Sequence, residues 1–347
     1  MPLRPEIDRL APYRPGGRLA GTEVVNLAAN ENPWGPSPRV LSAMADISDV
    51  GRYPQMQPEE LVGRLAALHG LDPECIVLGT GSGHLIKLLA EVLVGPGDRV
   101  LVPQPGFSLY RHAVDLMGGT PEGVPVRGDA SDADAYAARS EGAAVTFLCR
   151  PHNPLGGSLD LAALARIAAA TGDRGLLAVD EAYIEYAGIP SAFALLRQRL
   201  PVAVLRTFSK AYGLAALRLG WLAAPPEVAA AVRKASEPFP INAVAARAAL
   251  AALEDDAHVA SVVARTVEGR AHLGKALESK GFLVHPSDAN FLLVDVGDAA
   301  GRLHAHLLAQ GILVRKADSF GLPQSLRITV GTEEENRRLV AAVEAFI

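Results

Sequence analysis

The sequence has few cysteines and lacks the long apolar or basic runs that mark membrane, secreted and nucleic-acid-binding proteins. Its two cysteines, Cys75 and Cys149, lie in apolar runs of a 347-residue chain, so we expect core thiols in a reducing cytoplasm and no disulfide. No run of about 20 apolar residues predicts a membrane span, and no N-terminal apolar stretch predicts a signal peptide. The net charge is −5 and no basic patch is present, which argues against a nucleic-acid partner. No cluster of His, Cys, Asp and Glu has the spacing of a metal site.

A lysine lies at the end of a predicted buried strand. Lys210 follows the apolar run Val202–Leu205, and burying an ammonium group without a partner is costly. Schiff-base chemistry is one reason for such a lysine, because desolvation and nearby cations make the amine nucleophilic. Thr207, Ser209 and Arg218 would supply donors for a phosphate ester close to that amine. A lysine, an aldehyde and a phosphate together indicate pyridoxal 5′-phosphate (PLP).

Two further polar motifs follow predicted strands upstream. Asp180 follows the apolar run Gly175–Val179, at the edge of an open α/β sheet where ligands bind. A carboxylate there would keep the PLP ring nitrogen protonated, as its chemistry requires. Tyr183 and Asn153, the latter after the run Val145–Cys149, can both reach the phenolic oxygen of the same ring. Each has an ordinary structural explanation taken singly, but three strand-end motifs in this order favour one cofactor.

A glycine-rich turn supplies a candidate phosphate site. Residues 79–84 read Gly-Thr-Gly-Ser-Gly-His, between the apolar strand Cys75–Leu78 and the helical stretch Leu85–Val94. Such a turn presents backbone N–H groups to an anion at a helix N-terminus. It matches neither the dinucleotide fingerprint nor the P-loop, and it suits the phosphate of PLP.

Further motifs recur along nearly the whole chain: Arg4–Ile7, Ala11–Tyr13, Asn26–Ser37, Arg52–Pro54, Pro103–Tyr110, Gly311–Arg315 and Leu326–Thr332. With these motifs the chain resembles the fold-type I PLP-dependent aminotransferases and, within them, the histidinol-phosphate aminotransferase family. The resemblance implies a homodimer with shared active sites, acting on a small-molecule amino donor and 2-oxoglutarate.

The resemblance also implies roles at the cofactor. Lys210 would be the Schiff-base lysine and the general base of the proton shift, and Asp180 would be the partner of the ring nitrogen. Tyr110 would stack on the cofactor ring. The remaining cofactor contacts would come from Ser82, Gly83, Asn153, Tyr183, Thr207, Ser209, Arg218 and, from the neighbouring subunit, Tyr53.

On the substrate side, the resemblance implies that Arg327 clamps the α-carboxylate, a bidentate role suited to a guanidinium group. Arg315 matches the position that family members use for the substrate phosphate. Tyr13 and Asn32 match further substrate-side positions.

The chain departs from the family pattern in two places. Gly83 and His84 stand where the family usually has an acidic pair, beside the cofactor phosphate and the substrate pocket. His152 and Leu155 stand in a turn where the family has an Asn-Asn-Pro-Thr core, although Asn153 is retained. We expect PLP chemistry to remain intact, while both departures leave the identity of the substrate open.

The chain length predicts two domains. Alternating elements predict an α/β fold, with a mostly parallel central sheet, helices on both faces and a smaller α+β domain. We expect an N-terminal arm (residues 1–28) packing on the small domain, a large domain (29–225) and a small domain (226–347). The predicted strands are Cys75–Leu78, Arg99–Val102, Ala144–Leu148, Leu176–Val179, Val202–Arg206, Leu219–Ala223, Phe282–His285, Phe291–Val294, Leu313–Arg315 and Leu326–Thr329.

The sequence therefore predicts an aminotransferase of histidine biosynthesis that takes histidinol phosphate as donor. An aromatic aminotransferase and a phospho-amino-acid decarboxylase on the same scaffold are alternatives, because fold alone does not determine function. A non-catalytic PLP-binding regulator is an alternative of a different class. Such regulators carry a DNA-binding module, for which two enzyme domains leave no room.

Overall fold

The computed structural model describes residues 6–7, 10, 24–48 and 50–347. Its strands are β1 (Val25–Leu27), β2 (Ile76–Gly79), β3 (Arg99–Gln104), β4 (Thr120–Arg127), β5 (Ala130–Ser131), β6 (Val145–Cys149), β7 (Leu176–Asp180), β8 (Val202–Thr207), β9 (Gly220–Ala223), β10 (Leu283–Val284), β11 (Phe291–Asp295), β12 (Ile312–Lys316) and β13 (Ser325–Thr329). Its α-helices are α1 (Pro38–Ala45), α2 (Glu59–His69), α3 (Ser82–Leu93), α4 (Ser108–Leu116), α5 (Ala133–Arg139), α6 (Leu161–Ala169), α7 (Phe193–Arg197), α8 (Pro226–Ala235), α9 (Ala243–Ala252), α10 (Asp256–Glu278), α11 (Ala300–Ala309) and α12 (Glu333–Glu344).

The larger sheet has eight strands in the order β2-β9-β8-β7-β6-β3-β4-β5. The pairs from β8 through β7, β6 and β3 to β4 are parallel, whereas β9 is antiparallel to both of its neighbours. Strands β6, β7 and β8 are buried along their whole length, as expected for a parallel sheet covered by helices on both faces. The predicted α/β architecture is confirmed.

The order of this sheet brings the functional motifs to one edge. The carboxyl ends of β6, β7 and β8 are adjacent because the three strands are parallel neighbours. Strand β2 runs in the same direction as β8, since both are antiparallel to β9. The glycine-rich turn after β2 therefore opens at the same edge as Asp180 and Lys210.

The smaller sheet has five strands in the order β1-β12-β13-β11-β10. Strand β1 adds in parallel to β12, with Val25 opposite Ile312, and both Val25 and Leu27 are buried. Residues 25–27 of the expected arm thus form a buried edge strand of the smaller sheet, while the division into arm and domains stays a prediction. Glu6, also in the expected arm, places its carboxylate beside Gly118, next to the larger sheet.

One strand of the larger sheet is absent from the predicted set. Strand β4 reads Thr-Pro-Glu-Gly-Val-Pro-Val-Arg, and its two prolines and glycine argue against a strand on composition alone. It is tolerated because it lies near the edge, where the two-residue strand β5 is its only neighbour beyond β3. Local propensity was overridden by position in the sheet.

Two helices beyond the predicted boundary at residue 226 pack on the larger sheet. Helix α8 buries Ala229 and Val232 in the cluster that contains α3 and β2. Helix α9 buries its alanine face, together with the preceding Ile241, in the hydrophobic cluster to which α1 and α2 contribute. The boundary at residue 226 thus cuts through a packed unit, and the division into domains stays a prediction.

Local sequence explains where several helices begin. Ser37 caps α1 by accepting a hydrogen bond from the Val40 N–H, with proline at the first helical position. Thr332 and Glu335 form a reciprocal capping box at the start of α12. None of the helices among the described residues is long and apolar enough to cross a membrane.

Candidate active site

A cavity of about 490 Å³ opens at the carboxyl edge of the larger sheet and is closed on its other side by β13 and its neighbours. Four cationic side chains and two acidic ones line it, so its charge favours anionic ligands. These side chains are Lys210, Arg218, Arg315, Arg327, Asp180 and Glu31. The cavity also includes Ser82, Gly83, Asn153, Tyr183, Thr207 and Ser209 from the predicted site.

Lys210 lies in the floor of the cavity, three residues after β8 ends. Its Nζ donates to the Ala29 carbonyl oxygen at 2.9 Å and lies 5.9 Å from the centre of the Tyr183 ring. Removal from water and, secondarily, the Arg327 guanidinium lower the pKa of the amine to about 8. A substantial fraction of the amine is therefore neutral and nucleophilic near pH 8.

Asp180 ends β7 beneath the same cavity and is 4% exposed. Its Oδ2 accepts a hydrogen bond from the Tyr110 hydroxyl at 2.8 Å, and its Oδ1 accepts one from the Ala182 N–H at 3.1 Å. Burial raises the pKa of this carboxyl to about 6, against the opposing effect of the two hydrogen bonds.

Tyr110 is not among the residues that line the cavity, and this position argues against the predicted role of stacking on the cofactor ring. The side chain is fully buried and its ring stacks on Phe147 at 5.2 Å between centroids. The aromatic ring in the cavity wall is instead Phe107, at the N-cap of α4. The sequence offers both rings within one Pro-Gly-Phe-Ser-Leu-Tyr run, and only the position of α4 decides which one faces the cavity.

A cradle for an anion lies at the start of α3. Ser82 and Gly83 are the first residues of this 12-residue helix and place its unpaired N–H groups in the cavity wall. Arg218, held with φ 55°, donates to the Ser209 hydroxyl at 3.5 Å. Gly81 has φ 88°, and a Cβ there would lie 2.6 Å from Arg218 Nη2, so only glycine permits this approach.

The two predicted substrate arginines are cross-strand neighbours. Arg315 on β12 pairs with Arg327 on β13. Arg327 donates to Asn153 Oδ1 at 2.7 Å and to the Ala28 carbonyl oxygen at 2.9 Å, which leaves the Asn153 amide N–H groups as donors. Phe320 lines the cavity and lies within 6 Å of both guanidinium groups; no sequence motif marked it.

Asn30, rather than the predicted Asn32, reaches the site. Asn30 is 1% exposed, lines the cavity and donates to the Tyr183 hydroxyl at 3.1 Å. The Asn32 side chain donates to the Gly35 and Ala211 carbonyl oxygens and accepts from the Trp34 N–H. Asn32 therefore fixes a turn, and the predicted substrate contact is not available to it.

Among the remaining predicted site residues, Tyr53 lies on the surface away from this cavity. Tyr53 is 83% exposed and its ring stacks on Phe239 at 4.6 Å, so its predicted role depends on a neighbouring subunit and stays a prediction. Tyr13 lies outside the described residues.

The profile of the family described as "Aminotransferase class I and II" matches residues 22–343. The chain belongs to the class I and II aminotransferases. A relative named histidinol-phosphate aminotransferase, from Symbiobacterium thermophilum, is 44% identical, with 99% of this chain and 98% of the relative covered. One of the same name from Natronomonas pharaonis is 40% identical, with 94% and 92% covered.

A solved structure of a family member has the same fold. The crystal structure of histidinol-phosphate aminotransferase from Sinorhizobium meliloti, in complex with pyridoxal 5′-phosphate, has a TM-score of 0.90 and 28% identity. The match covers 99% of this chain and 98% of that one. The predicted family and the fold-type I architecture are thereby confirmed.

The donor set of this aminotransferase fits PLP. The N-terminus of α3, the hydroxyl groups of Thr207 and Ser209, and the Arg218 guanidinium would bind the phosphate of the cofactor. Lys210 presents an amine of lowered pKa, and Asp180 presents a buried carboxyl for a ring nitrogen. No group of three or more His, Cys, Asp and Glu residues within the described ranges could hold a metal ion.

Of the residues that depart from the family pattern, Gly83 lines the cavity, whereas His84, His152 and Leu155 are not among its lining residues. His84 is the third residue of α3, and its Nδ1 accepts a hydrogen bond from the Thr80 N–H at 3.4 Å. Burial lowers the pKa of His84, so its imidazole adds no positive charge beside the cavity near pH 7.

The second departure lies behind the substrate side of the cavity. His152 is fully buried, and burial lowers its pKa to about 4. Its Nδ1 accepts from the Leu155 N–H at 3.4 Å. Leu155 packs with Leu293 and with Phe320, so it supports the wall that carries the two arginines without contacting a ligand directly.

A buried ion network next to Asp180 was not found by sequence reasoning. Arg150 and Glu181 are paired at 2.8 Å and are 1% and 0% exposed. Glu181 also pairs with Arg206 at 3.4 Å, and Arg206 with Glu185 at 2.7 Å. The network joins the carboxyl ends of β6, β7 and β8 on the side of the edge away from the cavity, and so fixes the backbone that carries the site.

Proposed function

We propose that this aminotransferase transfers the amino group of histidinol phosphate to 2-oxoglutarate in two half-reactions. Pyridoxal 5′-phosphate is the cofactor of the family, and when bound it acts as the electron sink for the bond that is broken at the substrate α-carbon. The observation that carries the proposal is a cationic cavity in which Lys210 lies between a phosphate cradle and a pair of arginines. The names of the full-length relatives support the choice of donor.

In this proposal Lys210 would hold the cofactor through its amine and would act as the general base that takes the proton from the substrate α-carbon. Its lowered pKa suits that task, because a general base is most effective when its pKa is near the working pH. The Asp180 carboxylate would accept a hydrogen bond from the protonated ring nitrogen and so keep the proton on that nitrogen. Asn153, whose oxygen is occupied by Arg327, offers its N–H group to the phenolic oxygen, together with the Tyr183 hydroxyl.

The arginine pair would select the substrates. Arg327 would bind the carboxylate of 2-oxoglutarate, held in orientation by Asn153 and by the rings of Phe291 and Phe320. Arg315 would bind the distal phosphate of the donor or the distal carboxylate of the acceptor. Guanidinium groups suit both anions, since they donate in a bidentate fork.

We further propose a homodimer in which Tyr53 completes the phosphate site of the neighbouring subunit. Its ring is exposed and oriented by Phe239, as a residue that contacts a second copy needs to be. A cytoplasmic location is proposed from the two free, buried thiols.

The test is a donor screen with the purified holoenzyme. Histidinol phosphate, histidinol, phenylalanine and tyrosine are compared with 2-oxoglutarate as acceptor, and phosphorylated amino acids are assayed for release of carbon dioxide. We expect histidinol phosphate to give the highest kcat/KM and no carbon dioxide to be released. A preference for phenylalanine or tyrosine would favour an aromatic aminotransferase, and carbon dioxide release would favour a decarboxylase.

A further inference from the structure

The hydroxyl group of Tyr110 is hydrogen-bonded to a residue of the active site. Its Oη donates to Asp180 Oδ2 at 2.8 Å, and its ring is fully buried against Phe147, out of the cavity wall. Helix α4 thus contributes two aromatic residues with separate tasks, since Phe107 lies in the wall and Tyr110 lies behind the carboxylate. A buried tyrosine needs a partner for its hydroxyl, and here that partner is the group that faces the cofactor.

The hydroxyl acts against the effect of burial on Asp180. Burial alone favours a protonated carboxyl, whereas hydrogen bonds donated to it favour the carboxylate. The neighbouring Glu181 raises the pKa of Asp180, and Lys210 lowers it. Burial and the nearby Asp180 also raise the pKa of Tyr110 well above its ordinary value, so the phenol remains a donor at neutral pH. The buried Cys149 thiol, whose pKa is raised by burial, is uncharged beside them.

We propose that Tyr110 is a positioning residue that keeps Asp180 ionised and oriented toward the ring nitrogen of the cofactor. Of the two hydrogen bonds that Asp180 accepts from protein groups, the one from Ala182 comes from the backbone, and the one from Tyr110 can be removed by substitution. A carboxylate stabilised in this way is less basic, so the shared proton stays on the ring nitrogen. The inference rests on the proposed cofactor.

The decisive measurement is the ¹⁵N chemical shift of the ring nitrogen in PLP that carries ¹⁵N at that position, bound to wild-type protein and to Tyr110→Phe. The substitution keeps the ring and its stack on Phe147, and removes the hydroxyl alone. We expect the shift to move from the value of a protonated pyridine toward that of a neutral one. This readout reports the position of the proton and does not depend on turnover.

Tyr136→Phe is the matched control. Tyr136 is also fully buried and donates its hydroxyl to a protein oxygen, the Phe147 carbonyl, at 3.1 Å. It lies on α5, outside the cavity wall. Loss of this buried hydrogen bond lowers stability without touching Asp180, so the ¹⁵N shift should stay at the wild-type value.

A double-mutant cycle of Tyr110 and Asp180, measured by the dissociation constant of PLP, provides a second readout. Tyr110→Phe should weaken PLP binding by about tenfold, the effect of a change of roughly one in the pKa of the carboxyl that faces the ring nitrogen. In an Asp180→Asn background the same substitution should change the dissociation constant by less than about threefold, because the carboxylate is gone. An unchanged ¹⁵N shift, or equal losses in both backgrounds, overturns the inference.

Two further results separate this inference from its premises. If Tyr110→Phe does not fold, 4-aminophenylalanine placed at position 110 keeps the ring and a weaker N–H donor, and should move the shift part of the way toward the neutral value; no movement contradicts the proposal. If wild-type protein does not bind PLP, the proposed function fails. If wild-type protein binds PLP and the ¹⁵N shift is the same whichever residue stands at position 110, only the proposed role of Tyr110 fails.

Discussion

Replacing Arg315 by alanine should separate phosphorylated from unphosphorylated donors. The side chain is half-buried, donates to the Ser319 hydroxyl at 3.0 Å and lies 5.9 Å from the centre of the Phe320 ring. A bidentate contact with phosphate contains two charge-assisted hydrogen bonds of about 1.5–3 kcal/mol each. Because the site is partly open to water, the lower end applies, and the loss is about 3 kcal/mol, or roughly 100-fold in kcat/KM.

The assay follows the donor half-reaction alone, by the change in the absorption of the bound cofactor after mixing with excess donor. Histidinol phosphate should lose about 100-fold in kcat/KM, whereas phenylalanine should lose less than about threefold. Lys316→Ala is the control. This substitution removes a neighbouring positive charge that is paired with Asp318 at 3.2 Å, and the Lys316 side chain faces the opposite side of β12 from Arg315. Equal losses for both donors, or a wild-type enzyme that prefers phenylalanine, would refute the assignment of the phosphate pocket.

Other residues give independent tests. Lys210→Ala should abolish both the visible absorption of the bound cofactor and transamination; near-normal turnover would remove the lysine from the mechanism. In wild-type apoenzyme, the rate of cofactor capture should rise with pH and level off above about 8, because the neutral amine is the reactive form and its pKa is lowered to about 8; a flat profile would contradict that value. Tyr53→Phe should weaken PLP binding by roughly 1.5–3 kcal/mol in a protein that scatters as a dimer, and a fully active monomer would exclude a shared site. Arg150→Met should lower the free energy of unfolding by roughly 3–5 kcal/mol, because it leaves Glu181 charged and buried without its main partner. The control is Arg166→Met, which breaks an exposed ion pair worth at most about 1 kcal/mol. Denaturant titration of both variants measures the difference, and equal losses of stability would count against the network.

The cofactor side of the site could be predicted from sequence because its parts are local. Lys210, Asp180 and Asn153 each follow an apolar run that forms a buried strand, and parallel neighbours bring such strand ends together. The glycine-rich turn likewise depends on short-range geometry, since a helix N-terminus binds anions wherever it occurs. Backbone periodicity and turn chemistry sufficed for these positions.

The sequence could not decide between neighbouring candidates of the same type. Phe107 is the N-cap of α4 and Tyr110 lies in the first turn of that helix. Only the packing of the helix on Phe147 places the first ring in the cavity and the second behind Asp180. Asn30 and Asn32 differ in the same way, because the turn around Gly35 takes up the hydrogen bonds of Asn32.

Long-range contacts decided the remainder. The network of Arg150 and Glu181 joins residues 31 positions apart whose charges would each be expected at the surface. Phe320 has no motif of its own, and it enters the site because β12 and β13 bring the guanidinium groups of Arg315 and Arg327 within 6 Å of the centre of its ring. Strand β1 belongs to the smaller sheet only because β12, nearly 290 residues later, offers it an edge. The sequence thus determined which chemistry the chain carries, since that resides in residue types at strand ends. Tertiary packing determined which side chains face the ligand, since burial and partner choice depend on residues distant in the chain.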